Sequence, residues 1–200
     1  MKKLFIGIVL STLFVAANAQ VSFGPKVGLN VSMATTNAAN VVINPITPFF
    51  NAGAFFNYKF ANQFAGQIEL FYSGEGTKFK NKGNPTVYTD NISYLNIPLL
   101  FQLVTAGGFY VQTGPQMGFL LSATSSTNGI STDIKSSLNS TKFSWDIGIG
   151  TEISHKLGID LRYAAGLSNI NNGSTNTFKD NVLSIGLFYA FHPMSKTSTK

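Results

Sequence analysis

The chain contains no cysteine, which excludes a disulfide framework, a thiolate zinc site and a cysteine nucleophile. Charge is scarce as well: Asp, Glu, Lys and Arg make up 11% of the 200 residues, about half the usual share. A disordered chain is charge-rich and aromatic-poor, whereas aromatics here reach 13% and Phe alone supplies 18 residues. Arginine occurs once, at Arg162, so the clustered basic surface of a nucleic-acid-binding protein is missing. Beyond the first 19 residues there is no apolar run of 18 or more, which leaves no transmembrane helix in the remaining chain. Gly, Ser and Asn, at 19 residues each, stand where the charges would be. That mixture suits a helical soluble domain poorly and points to an all-β chain with little charge to show to water.

The N-terminus has the three parts of a secretory signal in order. Met1-Lys2-Lys3 is a positive opening, Leu4 to Val15 is an apolar run of 12 residues, and Ala17-Asn18-Ala19 is a small-x-small cleavage pattern. The run is too short to span a bilayer as a helix, which takes about 20 residues. The expected division is a cleaved signal peptide over residues 1–19, a folded domain over 20–192 and a polar tail over 193–200. The formal charge of +6 falls to +4 once Lys2 and Lys3 are removed (14 − 2 = 12 basic against 8 acidic residues). The chain is therefore expected to be exported.

Between those ends the sequence alternates with period 2, the pattern of a strand with two unlike faces. Val27, Leu29, Val31 and Met33 interleave with Lys26, Gly28, Asn30 and Ser32. The same pattern recurs around Ile68-Glu69-Leu70, Leu95-Asn96-Ile97, Phe119 with Leu121 against Gly118 and Ser122, Trp145-Asp146-Ile147, Leu161-Arg162-Tyr163 and Ile185-Gly186-Leu187. Phe49 to Phe60 is apolar on both faces, yet Asn51, Gly53, Asn57 and Lys59 keep one parity. The pattern predicts eight strands of about ten to fourteen residues, near the upper end of common strand lengths.

The connections alternate too. Long polar stretches (Thr35 to Thr47, Lys80 to Asn91, Thr124 to Thr141, Asn169 to Asp180) take turns with short ones at Ala61-Asn62-Gln63, Val104 to Gly107 and His155-Lys156. In an up-and-down antiparallel sheet this gathers four long loops at one end, and three tight turns with both termini at the other. Outer-membrane barrels have long extracellular loops, short periplasmic turns and an even strand number. A soluble eight-stranded barrel is the competing reading, but it would coat its outside with Lys, Glu and Asp. Here the polar parity carries small and amide residues, which suit a cramped interior. Most lysines (Lys78, Lys80, Lys82, Lys135, Lys142, Lys156, Lys179, Lys196, Lys200) fall in loops, turns, tail or strand ends. Aromatics of the apolar parity gather near strand ends, at Phe64, Tyr72, Phe109, Phe143, Trp145, Tyr189 and Phe191, as in interfacial girdles. The expected fold is an all-β, eight-stranded antiparallel transmembrane barrel in the outer membrane, with four long extracellular loops and three short periplasmic turns.

Several segments resemble the PorT-like outer-membrane β-barrel family: Gly24-Pro25-Lys26-Val27-Gly28-Leu29-Asn30, Glu69-Leu70-Phe71-Tyr72-Ser73 with Gly76, Tyr94-Leu95-Asn96-Ile97-Pro98-Leu99-Leu100, Gly114-Pro115-Gln116, and Asp160-Leu161-Arg162-Tyr163 with Gly166-Leu167. The resemblance covers the whole chain after the signal and implies the small barrel architecture. The founding relative is linked to a secretion system, but the matched residues are structural ones. Leu187 to Phe191 resembles the closing-strand signal read by the barrel-assembly machinery, departing from it in the His192-Pro193 and polar tail that follow.

The candidate site is a lumen charge network. Lys26, Lys59, Glu69, Glu75, Asp146, Glu152, Asp160 and Arg162 all fall on the polar parity, and a charge in a narrow lumen is costly unless paired. Arg162 is expected to bridge carboxylates, with Glu152 or the neighbours of Asp160 as partners. Enzymatic activity is not expected: His155 and His192 fall at the turn end, roughly 25 Å across the apolar band from the outer rim. No metal-ligand spacing or cofactor motif is present. The expected role is structural or interactive, through a protein partner docked on the surface loops, with outer-membrane lipid and, during insertion, the barrel-assembly machinery as the other partners and no nucleic acid. A narrow channel for small polar solutes is the alternative.

Overall fold

The computed structural model describes residues 21–36, 41–44, 48–81, 86–154, 156–173 and 177–191. The expected signal peptide, the polar tail, His155 and His192 lie outside them. Eight long strands form the wall: β1 (Val21–Thr36), β3 (Pro48–Lys59), β4 (Phe64–Asn81), β5 (Tyr88–Val104), β6 (Phe109–Thr127), β8 (Thr141–Glu152), β9 (Leu157–Gly166) and β10 (Phe178–Tyr189). Each pairs antiparallel with the next in chain order, and β10 returns to pair with β1 from Lys26↔Phe188 to Thr36↔Phe178. The sheet is a closed barrel, so the wall itself has no free edge. Two short strands, β2 (Val41–Asn44) and β7 (Ile130–Asp133), pair with the loop ends of β4 and β6.

The alternation sorts the faces as the pattern demands. On β8, Phe143, Trp145, Ile147 and Ile149 point outward and are exposed, while Lys142, Ser144 and Asp146 point inward and are buried. On β5 the outward residues are apolar from Leu95 to Leu103 and turn polar at Ser93 and Asn91. That apolar length matches the roughly 9–11 residues a tilted strand needs to cross hydrocarbon. The aromatics form belts: Phe60, Phe64 and Phe101 cluster at the turn end with ring centroids 5.5–6.5 Å apart. On the outer face Tyr72 and Trp145 direct their polar tips onto Ser93 Oγ and Thr113 Oγ1 at 2.7 and 2.9 Å, as amphipathic rings do at an interface.

Short connections join β3 to β4, β5 to β6 and β8 to β9, as the spacing predicts. The loop end differs from expectation. Of the stretch Lys80 to Asn91, residues 80–81 still belong to β4 and 88–91 to β5, which pairs back onto β4 from Gly76↔Asn91 to Phe79↔Tyr88. The stretch Thr124 to Thr141 continues β6 to Thr127, reverses at Asn128-Gly129 and returns as β7 before a short 3₁₀ turn at Lys135–Ser137. Asn128 and Gly129 both have positive φ, at 48° and 80°, which is the two-residue hairpin turn that Asn-Gly favours. The physical reason is that apolar alternation ends where the lipid ends, while the backbone hydrogen-bond ladder continues past it.

A second correction concerns Ser122, expected on the inward parity. The register shifts between Ser93↔Ser122 and Tyr94↔Leu120, leaving Leu121 as the extra residue of a bulge. Leu121 and Ser122 are both exposed, and Ala123 takes the inward position.

Candidate functional site

The middle of the lumen is tied by one cation crossing its full width. Counting around the ring, β4 and β9 are four neighbours apart in either direction. Arg162 on β9 nevertheless donates from both terminal nitrogens to Glu69 on β4, to Oε2 at 2.9 Å and Oε1 at 2.6 Å. This is the bidentate pairing that a planar guanidinium suits. Lys26 on β1 donates to Glu69 Oε1 at 3.3 Å and also to Asp160 Oδ2. The guanidinium lies 3.6 Å from Asp146 and 3.8 Å from Asp160. Asp160 and Arg162 share a face because they are two apart on one strand. All four carboxylate and guanidinium groups are buried, Arg162 at 3% exposure and Asp146 at 0%.

Glycines make room for these long side chains. A Cβ at Gly186 would stand 2.7 Å from Asp160 Oδ1 and 2.9 Å from Lys26 Cε. One at Gly148 would stand 3.1 Å from Gln112 Nε2.

Of the eight expected network residues, Lys26, Glu69, Asp146, Asp160 and Arg162 meet in this layer. The bridging partner of Arg162 is Glu69 on the opposite wall rather than Glu152 or a neighbour of Asp160, because the narrow lumen brings facing strands within side-chain reach. Glu75 belongs to a separate group nearer the loop end: Lys142 donates to Glu75 Oε2, and to Asp180 Oδ2 at 3.2 Å, with its Nζ 4.1 Å from the centre of the Tyr94 ring. Ser73 and Asn96 also donate to Glu75 Oε1, at 2.8 and 3.1 Å. Lys59 and Glu152 stand half-buried at the turn ends of β3 and β8, and among the described residues Lys59 is in neither group.

The sequence pattern puts Lys142 among the loop and strand-end lysines and Asp180 in a loop. Both are inward and buried, and their parity carries the missing signal. Lys142 is two residues before Ser144, and Asp180 lies on the parity of Ser184 and Gly186. Buried amides complete the polar layer: Asn57 donates to Gln102 at 2.7 Å, Gln102 to Gln112 at 3.0 Å, and Gln67 to Glu69 at 2.6 Å.

Apolar residues fill the lumen above and below. At the turn end Phe55, Val104, Tyr110 and Phe188 pack together with Ala65 and Ala190. Tyr110 lies over Gly150 and Phe188 over Gly158, so close that a Cβ at either glycine would overlap the ring. Toward the loop end Ile92, Tyr94, Leu120, Ala123 and Leu138 form a second cluster. The space left beside Lys26, Glu69 and Arg162 is about 10 Å³, and beside Phe55, Tyr110 and Phe188 about 0 Å³. A single water needs about 10–15 Å³, so neither of these two levels has room for a water column.

One larger cavity, of about 290 Å³, sits at the loop end above Glu75 and Lys142. Phe79, Ile92, Ile134, Leu138, Ile170 and Phe178 give it apolar walls, with Thr77, Asp90, Ser125 and Asp180 among its polar lining. Asp90 lies on β5 five residues beyond the apolar band. Burial pushes its carboxyl above the ordinary value, while a hydrogen bond with Ser125 acts the other way. Among the described residues no group of three or more His, Cys, Asp or Glu is arranged to hold a metal ion.

Solved structures share this architecture. Ail, the attachment invasion locus protein of Yersinia pestis, superposes with a TM-score of 0.54 at 15% identity, over 86% of this chain and 99% of that one. Neisserial surface protein A gives a TM-score of 0.54 at 14% identity, over 84% and 97%. At such identities the likeness is one of fold. A comparison with curated proteins by sequence finds no match. The sequence family described as an outer membrane protein beta-barrel domain matches residues 16–172. With an apolar belt outside a closed eight-stranded wall and a matched family over most of its length, the chain belongs to the outer-membrane β-barrel domain family and resides in the outer membrane.

Proposed function

We propose that this protein is a non-conducting, non-enzymatic barrel of the PorT-like kind, whose filled lumen fixes its shape and whose loop end docks a protein partner outside the cell. The single observation that carries this reading is the packed interior. Apolar clusters lie on both sides of a charge layer whose free space is about one water or less. A conducting pore needs a continuous hydrated path, and this lumen offers side chains instead. The loop end supports the docking role. There β4, β5, β6 and β7 rise past the apolar band, with outward Thr89, Asn91, Ser122 and Ser126 beside exposed Lys78 and Asp133 forming a polar wall. Secretion or uptake assemblies are the partner class that the PorT-like resemblance suggests.

Planar-bilayer conductance of the refolded protein tests the reading, with heat-modifiable gel mobility confirming the folded barrel. The expected result is a folded but silent barrel. Steady unit conductance that changes in Arg162→Ala would replace this reading with that of a narrow channel for small polar solutes.

A further inference from the structure

The cavity at the loop end is built unlike the rest of the interior. Around the charge layer and the turn-end aromatics side chains leave about 10 Å³ or less; here about 290 Å³ remains, about ten times the volume one water occupies in the liquid. Its walls are mainly apolar, from Phe79, Ile92, Ile134, Leu138, Ile170 and Phe178. Apolar walls with a few convergent polar groups are the usual make-up of a small-molecule site.

Two of the polar atoms here are oxygens left without a partner. Asp90 Oδ1 and Thr77 Oγ1 are buried without a hydrogen-bond partner among the described residues. Asp180 also lines the cavity and shares Lys142 with Glu75. One cation thus stands below this end against two carboxylates, and Asp90 adds a third. The neighbouring Lys78 and Lys179 are exposed and do not line the cavity. A buried carboxylate oxygen without a donor is costly, and the occupant that relieves it is one that brings a positively charged donor.

We infer that this cavity is a binding site for a small primary amine carried on a compact apolar body of about ten heavy atoms, by the volume just given. The ammonium faces Asp90, with Thr77 as a second acceptor, and the apolar body lies between Ile92, Ile134, Leu138 and Phe178. The site is separate from the docking role and from whether the lumen conducts.

The test uses the refolded full barrel in lipid nanodiscs with isoleucine methyl labels, titrated with 2-phenylethylamine, with neutral 2-phenylethanol and with 3-phenylpropanoate. The amine is expected to shift the methyls of Ile92, Ile134 and Ile170 saturably. It should bind about tenfold more tightly than the alcohol, the factor a charge-assisted hydrogen bond commonly brings, and the acid should not bind. Asp90→Asn should lower amine affinity to that of the alcohol. Leu138→Trp, which fills the cavity, should remove binding of both while heat-modifiable mobility is kept. Absence of a saturable shift at these methyls would overturn the inference. So would equal affinity for amine, alcohol and acid, or an Asp90→Asn barrel that binds the amine unchanged.

Discussion

Replacing Arg162 with alanine removes the cation that joins opposite walls of the barrel. Two hydrogen bonds to Glu69 are lost, at 2.6 and 2.9 Å, and bonds to charged groups contribute about 1.5–3 kcal/mol each. Glu69, Asp146 and Asp160 are then left with Lys26 alone. The expected loss is about 3–5 kcal/mol, the range for breaking a buried pair on one side. That is a large part of the roughly 5–15 kcal/mol available to a folded domain. Equilibrium unfolding in lipid vesicles can be followed through the single tryptophan, Trp145, which is 44% exposed on the outer face. Removing both partners as Glu69→Gln with Arg162→Met should cost less than the sum of the single changes, by about 1–3 kcal/mol. An Arg162→Ala barrel within about 0.5 kcal/mol of the native one, or strict additivity in the pair, would refute the crosslink.

Other perturbations probe other layers. Gly158→Val should drive the strand wall into the Phe188 ring and destabilise by about 1–3 kcal/mol or more, and Phe188→Ala in the same chain should restore part of that, as read by vesicle unfolding. Lys142→Met leaves Glu75 and Asp180 facing each other without a cation and should cost about 3 kcal/mol, recovered in part by Asp180→Asn. Gly129→Ala, at φ 80°, should weaken only the β6–β7 hairpin, by about 1–2 kcal/mol. Amide exchange at Ser126 and Ser131 should quicken while global unfolding stays put. Ile185→Arg, at an outward position that is 56% exposed, should cost about 2–4 kcal/mol in lipid, whereas a water-facing site would tolerate it.

Much of the barrel could be read from parity alone. The same alternation that set Val27 and Leu29 against Lys26 and Gly28 also assigned Glu69, Asp146, Asp160 and Arg162 to one interior. What parity does not contain is partner choice across a lumen. Nothing in the spacing of Glu69 and Arg162, 93 residues apart, says that β4 and β9 face each other, because that depends on ring closure. Lys142 and Asp180 escaped for a different reason. Each sits past the last clearly apolar neighbour of its strand, where the pattern fades although the strand continues. The turn-end aromatic cluster escaped because Tyr110 and Phe188 are large aromatic residues on a parity otherwise mostly polar or small. They fit only because Gly150 and Gly158 lie beneath them on the neighbouring strands. The bulge at Leu121 is a local fault in a period-2 pattern, and the sequence Phe119-Leu120-Leu121 hides it by being apolar throughout.

The central claim is that the apolar parity faces lipid around a closed wall, and the absence of cysteine makes it directly measurable. Single cysteines at Val111, Ile147, Ile149 and Ile185, each carrying a nitroxide label, can be compared for collisions with oxygen and with a water-soluble nickel chelate in lipid vesicles. The account predicts high oxygen access and low chelate access at all four, and the reverse at Asn91 and Ser122 on the polar wall above the band. Chelate access at Ile147 and Ile185 equal to that at Asn91 would contradict it, because that belongs to a barrel whose outside is wet.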